Sequence, residues 1–146
     1  MKGVPDWVNN YVGIPFVDFG RDVAGTDCWG LVCLVYQNIY GISLPSYLSS
    51  YSSALDRPSV QSHIQDTSQE DDWDEILLGW EREGDLIITR HLGLPCHVAL
   101  VVSKGWMLHA YPQRETVLES YERPAWNRSI HGIFRHKSLS VPAGVV

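Results

Sequence analysis

The chain has 146 residues, 45% of them hydrophobic and 11% aromatic, and a formal net charge of −6; that length and balance suit one globular domain with a real core and exclude a disordered chain. An acidic chain without a basic run excludes a nucleic-acid groove, which needs clustered Lys and Arg against phosphate. The longest apolar runs, Leu31 to Tyr36 and Val98 to Val102, fall far short of the ~20 residues of a membrane helix, and no apolar stretch follows Lys2 as a secretory signal would require.

In chain order, Pro5 at a first turn and Gly13 as a stop predict a short helix over 5–12. A Gly-, Pro- and Asp-rich loop is expected from Gly13 to Thr26. Asp27 is a good N-cap, and Cys28 to Tyr40 sets Leu31, Val32, Val35 and Ile39 on one helical face, with Gly41 as C-cap. Residues 45–75 form a polar, Ser-rich and acidic insertion that reads as a solvated surface, with a second helix expected after Pro58. From Gly84 the apolar period changes to two, predicting strands over Asp85–Thr89, His97–Val102, Trp106–Tyr111 and Ile130–Arg135. Helix first and antiparallel sheet afterwards is an α+β pattern. Without repeats or a linker, residues 1–146 read as a single domain.

Three cysteines are an odd count, unlike a disulfide framework. The sequence therefore predicts a soluble protein made in a reducing cytoplasm; if it acts outside a cell, something other than a signal peptide carries it there. Six Trp and seven Tyr are more than core filling usually needs; most are expected to pack in the core and some to line a cleft.

Cys28 follows the N-cap directly. Partial positive charge and free N–H groups at a helix N-terminus favour a thiolate over a thiol, and the Cys28 N–H is placed to donate to an oxyanion. Gly30 leaves room for a substrate or a neighbouring backbone. A cysteine nucleophile needs a base and a group to orient it, both of which lie elsewhere in such chains. His97 and His109 on consecutive strands supply candidates. A three-residue loop, Ser103-Lys104-Gly105, with positive φ at Gly105, would pair His97 with Tyr111 and set His109 diagonal to His97 on one face, with the Cys28 sulfur a few ångströms from the His97 ring. A metal or iron–sulfur site from Cys28, Cys33, Cys96 and His97 matches no strong ligand spacing, and Cys96 and His97 should point to opposite faces of a strand. Cys96 is therefore expected to face away from the site, while His63, His91, His131 and His136 read as surface residues without a motif.

Four segments carry a resemblance. Gly13-Ile-Pro-Phe through Thr26-Asp27-Cys28-Trp29-Gly30-Leu31, then Glu83-Gly84-Asp85-Leu86, then Cys96-His97-Val98-Ala99-Leu100-Val101, then Leu108-His109-Ala110 occur in the order found in NlpC-type cell-wall cysteine peptidases, which they resemble. The resemblance implies a papain-like fold with the nucleophile helix packed on a central antiparallel sheet. It implies hydrolysis of an amide in a peptidoglycan stem peptide by Cys28 as nucleophile, with His97 as base and acid and His109 orienting His97, and with no metal or cofactor. The implied attack is by a Cys28 thiolate paired with a His97 imidazolium. Asp27, Trp29 and Gly30 become candidate substrate contacts. Phe16 stands where the family carries a tyrosine thought to assist the oxyanion, so only the Cys28 N–H is assigned there. Trp29, with Gly20-Arg21-Asp22 and Leu44-Pro45-Ser46-Tyr47, is more similar to the branch carried by tailed phages and gene-transfer particles. That branch implies a tail-tip location and tail proteins as partners. A structural tail adaptor with the same fold and little activity is the alternative.

Overall fold

The computed structural model describes residues 3–45, 72–91, 93–111 and 114–139. The expected N-terminal helix forms as a 3-10 helix, Asp6–Tyr11, with Pro5 as its N-cap. The loop expected from Gly13 to Thr26 contains a small hairpin, β1 (Arg21–Asp22) and β2 (Gly25–Thr26). Asp27 then caps α1 (Cys28–Val35), its carboxylate accepting the Gly30 N–H. The helix widens into a π turn, Tyr36–Tyr40, and stops at Gly41 in the left-handed conformation, as expected.

Residues 46–71, most of the polar insertion, lie outside the described residues, as do the helix expected after Pro58 and His63. The end of the insertion differs from its expected solvated character: Trp73–Ile76 forms β3 and pairs with the last strand. The remaining strands are β4 (Leu86–His91), β5 (Leu94–Ser103), β6 (Trp106–His109), β7 (Val117–Ser120) and, after a single helical turn at Pro124–Asn127, β8 (Ile130–His136). They join in the order β3-β8-β4-β5-β6-β7, with every pair antiparallel. This is the α+β, papain-like arrangement.

Alternation along the strands divides the core. Val98, Leu100, Val102 and Leu108 pack with Leu31, Val32 and Val35 of α1, so the helix lies on one face of the sheet. Ile87, Ala99, Val101, Met107, Tyr121 and Ile133 form a second cluster on the other face. The Gly-Asp-Leu segment ties these layers together. Asp85 is fully buried and takes both arms of Arg135, Nε and Nη2, at 2.8 Å, while Tyr36 donates its hydroxyl to the Gly84 carbonyl. A bidentate arginine is the geometry that offsets the cost of burying a carboxylate.

Candidate active site

The site begins at the cap of α1. Asp27 is 0% exposed, and its oxygens are taken by the Gly30 N–H at 2.8 Å, Arg21 Nη1 at 2.8 Å and the Phe19 N–H at 3.1 Å. Phe19 is the one non-glycine residue with positive φ among the described residues, and its bond to Asp27 fixes that turn. A Cβ on Gly30 would meet the Gly20 carbonyl at 2.0 Å, so this glycine admits the backbone of the preceding loop. Trp29 is buried and donates its indole N–H to the Pro45 carbonyl at 2.9 Å. Asp27, Trp29 and Gly30 thus differ from the substrate contacts expected of them: they build the platform beneath Cys28.

Cys28 is half-buried, with the backbone N–H groups of Val98 and Trp29 directed at its sulfur. The thiol therefore rests on strand β5 one step after His97. Burial pushes it up to about 12, the Asp27 carboxylate adds to the rise, and the two N–H groups only partly oppose it. This corrects the expectation of a favoured thiolate: the helix N-terminus acts in the expected direction, but desolvation is the larger effect. Cys96 is a second correction. It is buried and close enough that its charge would disfavour a Cys28 thiolate, so it is not remote from the site.

His97 and His109 are 2% and 1% exposed, and His97 Nε2 lies 2.9 Å from His109 Nδ1. The hairpin reaches this geometry by a route other than the expected three-residue loop. Ser103 pairs with Trp106 across a two-residue turn, Lys104-Gly105, with φ 93° at Gly105. Val102 then bulges, and the ladder resumes as Val101 with Met107 and Leu100 with Leu108. Carried onward, that register opposes His97 to Tyr111 and leaves His109 diagonal to His97 on one face, because a bulge shifts the pairing by one residue as a longer loop would.

Four further residues complete the cluster. His109 Nε2 meets Glu119 Oε1 at 2.8 Å, and Trp126 donates its indole N–H to Glu119 Oε2 at 3.0 Å. Rings of His91, Tyr111 and Trp126 lie 5.6, 5.3 and 6.2 Å from that of His97, and the Tyr111 hydroxyl bonds His91 Nδ1 at 3.1 Å. His91 is therefore no motif-free surface residue but part of the wall. His136 is also buried, edge-on to Trp73, while His131 is exposed as expected. Phe16 bridges to Thr26 and packs on the helix-side core.

Burial holds His97 well below its ordinary value of 6.5, with His109 and His91 adding to the effect. Burial also lowers His109, against the raising influence of Glu119. Thiol and imidazole are thus both neutral at pH 7. An unfolded chain takes protons on these histidines near pH 6.5 and the folded chain only at lower pH, so stability is full above 6.5 and falls as the pH drops below it. Burial raises Glu119, but the bonds from His109 and Trp126 outweigh this and lower it, adding a further loss below about 4.5. Urea midpoints measured from pH 8 to pH 4.5 should decline from about 6.5 downward; a flat or rising series would contradict this protonation assignment.

The NlpC/P60 family pattern matches residues 13–135. No curated protein matches the chain. Among solved structures, the NlpC/p60 domain of the peptidoglycan hydrolase SagA superposes with a TM-score of 0.60 at 21% identity, covering 95% of this chain and 97% of that one. An NlpC/P60 family protein from Bacillus cereus gives 0.62 at 21% identity, covering 94% of this chain and 42% of that one, so this chain corresponds to less than half of that protein. RipD from Mycobacterium tuberculosis, described as a non-catalytic NlpC/p60 domain protein adapted to peptidoglycan binding, gives 0.54 at 18% identity, with coverage of 87% and 88%. At these identities the likenesses carry the fold, and the family pattern over residues 13–135 carries the membership: the chain belongs to the NlpC/P60 family.

Proposed function

We propose that the protein is a cysteine peptidase or amidase that hydrolyses an amide bond in peptidoglycan stem peptides. The observation that carries this is the bonded pair His97–His109, at 2.9 Å, with His97 on the strand against which the Cys28 sulfur rests. In this reading Cys28 is the nucleophile, His97 the base and acid, and His109 the orienting group. With thiol and imidazole both neutral at rest, the S–H proton passes to His97 as sulfur attacks the carbonyl carbon. The Cys28 N–H, in the first helical turn where backbone donors lack intrahelical partners, faces the developing oxyanion. His97 then gives its proton to the leaving amine, and a thioester remains. Water, losing a proton to His97, attacks the thioester; the carboxylic acid leaves and the thiol is restored.

The finer proposal is a tail- or particle-borne enzyme that opens the wall locally. Two features support it. Two residues resembling the phage branch, Trp29 and Pro45, are bonded to each other, and a third, Arg21, holds the Asp27 cap. A tip of Leu77, Leu78 and Trp80, at 75%, 55% and 75% exposure, suits burial against another protein. Purified wall incubated with the protein should yield new muropeptide ends by mass spectrometry, with free amine and carboxyl appearing in equal amounts. The adaptor alternative, supported by Phe16 and by the precedent of RipD, yields none.

A further inference from the structure

Glu119 belongs to none of the four motif segments read from the sequence, yet it is bonded into the centre of the site. We propose that Glu119 is a positioning residue that extends the Cys28–His97–His109 triad to a relay of four, setting which nitrogen of His97 faces the thiol. The proposal rests on the catalytic reading of Cys28 and His97, but its first test does not.

Hydrogen-bond direction carries the argument. An ionised carboxylate accepts and cannot donate. Glu119 Oε1 at 2.8 Å from His109 Nε2 therefore places the His109 proton on Nε2. The neutral ring then has a bare Nδ1, which at 2.9 Å can only accept from His97 Nε2. His97 in turn has its proton on Nε2 and its lone pair on Nδ1, the nitrogen left to receive the thiol proton. One carboxylate at the sheet edge thus fixes two tautomers in series. Trp126 holds the second oxygen at 3.0 Å, so the carboxylate cannot rotate away without giving up a second hydrogen bond. The register of the strands makes this possible: Met107 opposes Glu119 and His109 opposes Val117, so Glu119 lies diagonal to His109 as His109 does to His97.

During proton transfer the positive charge formed on His97 is shared towards His109, where the Glu119 charge favours it. The charged groups facing this pair are Glu119, Arg114 and Arg123, with His91 on the other side of His97. Removing the carboxylate leaves the arginines unopposed and lowers the pH at which both rings protonate.

The test uses the full chain with 15N-labelled histidine. In the wild type, NMR should show His109 and His97 both as Nε2–H tautomers. Glu119→Leu, which removes the acceptor at a half-buried strand position, should give a mixture at His109; retention of the Nε2–H form would overturn the proposal. Glu119→Gln keeps an acceptor and removes only charge, and both ring titrations should move to lower pH; unmoved titrations would likewise overturn it. Thermal melts of both variants confirm that the fold is kept. Where wall hydrolysis is measured, Glu119→Gln should lower kcat by on the order of 10-fold with KM little changed, and a fall in KM-dependent binding alone would count against a role through His97. Should the wild type release no wall fragments, the catalytic reading fails while the NMR arms still decide the Glu119 assignment.

Discussion

Cys28→Ala is expected to abolish wall hydrolysis, a loss on the order of 10⁴-fold or more, because the attacking sulfur is removed. The variant should remain folded. Alanine keeps Cβ, is a better helix former than cysteine, and leaves the Asp27 cap and its bonds to Gly30, Arg21 and Phe19 in place. The sulfur is only half-buried, so its removal should cost about 1 kcal/mol in a urea melt. Muropeptide mass spectrometry beside that melt separates chemistry from folding. Wild-type product release by a folded Cys28→Ala protein would end the peptidase reading. Loss of the fold would show instead that the sulfur is a packing element and that the activity result is uninformative, in which case Cys28→Ser, nearly isosteric and a far weaker nucleophile, answers the same question.

His97→Ala is expected to cost about 10²- to 10⁴-fold in kcat, the range for a general base. It also carries a structural penalty. His97 is 2% exposed, and its loss leaves a cavity among His91, Tyr111 and Trp126 and removes the partner of His109 Nδ1. An unpaired buried polar group alone costs about 1–3 kcal/mol. Rates should therefore be compared where both proteins are shown to be folded. His109→Ala should be milder, on the order of 10- to 100-fold, because water or Tyr111 can replace an orienting bond in part. A larger loss at His109 than at His97 would reverse their roles.

The parts of this molecule that were legible in its sequence are those where one residue type has one physical use. Asp27 before Cys28 could be read as a cap because a carboxylate at that position satisfies a helix N–H, and Gly41 as a stop because it adopts the left-handed conformation. His97 and His109 were legible through alternation along apolar strands. Glu119 was not, since β7 is four half-buried residues at a sheet edge, where neither face imposes a pattern. His91 was missed for a related reason: it ends β4 beyond the apolar run that marked the strand, past the point where Cys96 bulges from β5 and the register shifts. The protonation state of Cys28 lay beyond local sequence altogether. Helix position speaks for a thiolate, but the burial that reverses it is a product of tertiary packing, which brings the sulfur to strand β5, some seventy residues on.

The bulge at Val102 has an evolutionary corollary. Strand β5 is pinned by its long pairing with β4, so straightening it with Val102 opposite Met107 would move β6 and β7 instead. Every side chain on those two strands would then exchange sides: Leu108 would leave the helix-side core, and His109 and Glu119 would enter it. Taking the extra residue out of the ladder keeps them in place, either by deleting Val102 or by drawing Ser103 into a three-residue turn. Loss of the bulged residue should thus be tolerated, and homologues with a longer turn here are expected to have a straight strand where this chain has its bulge.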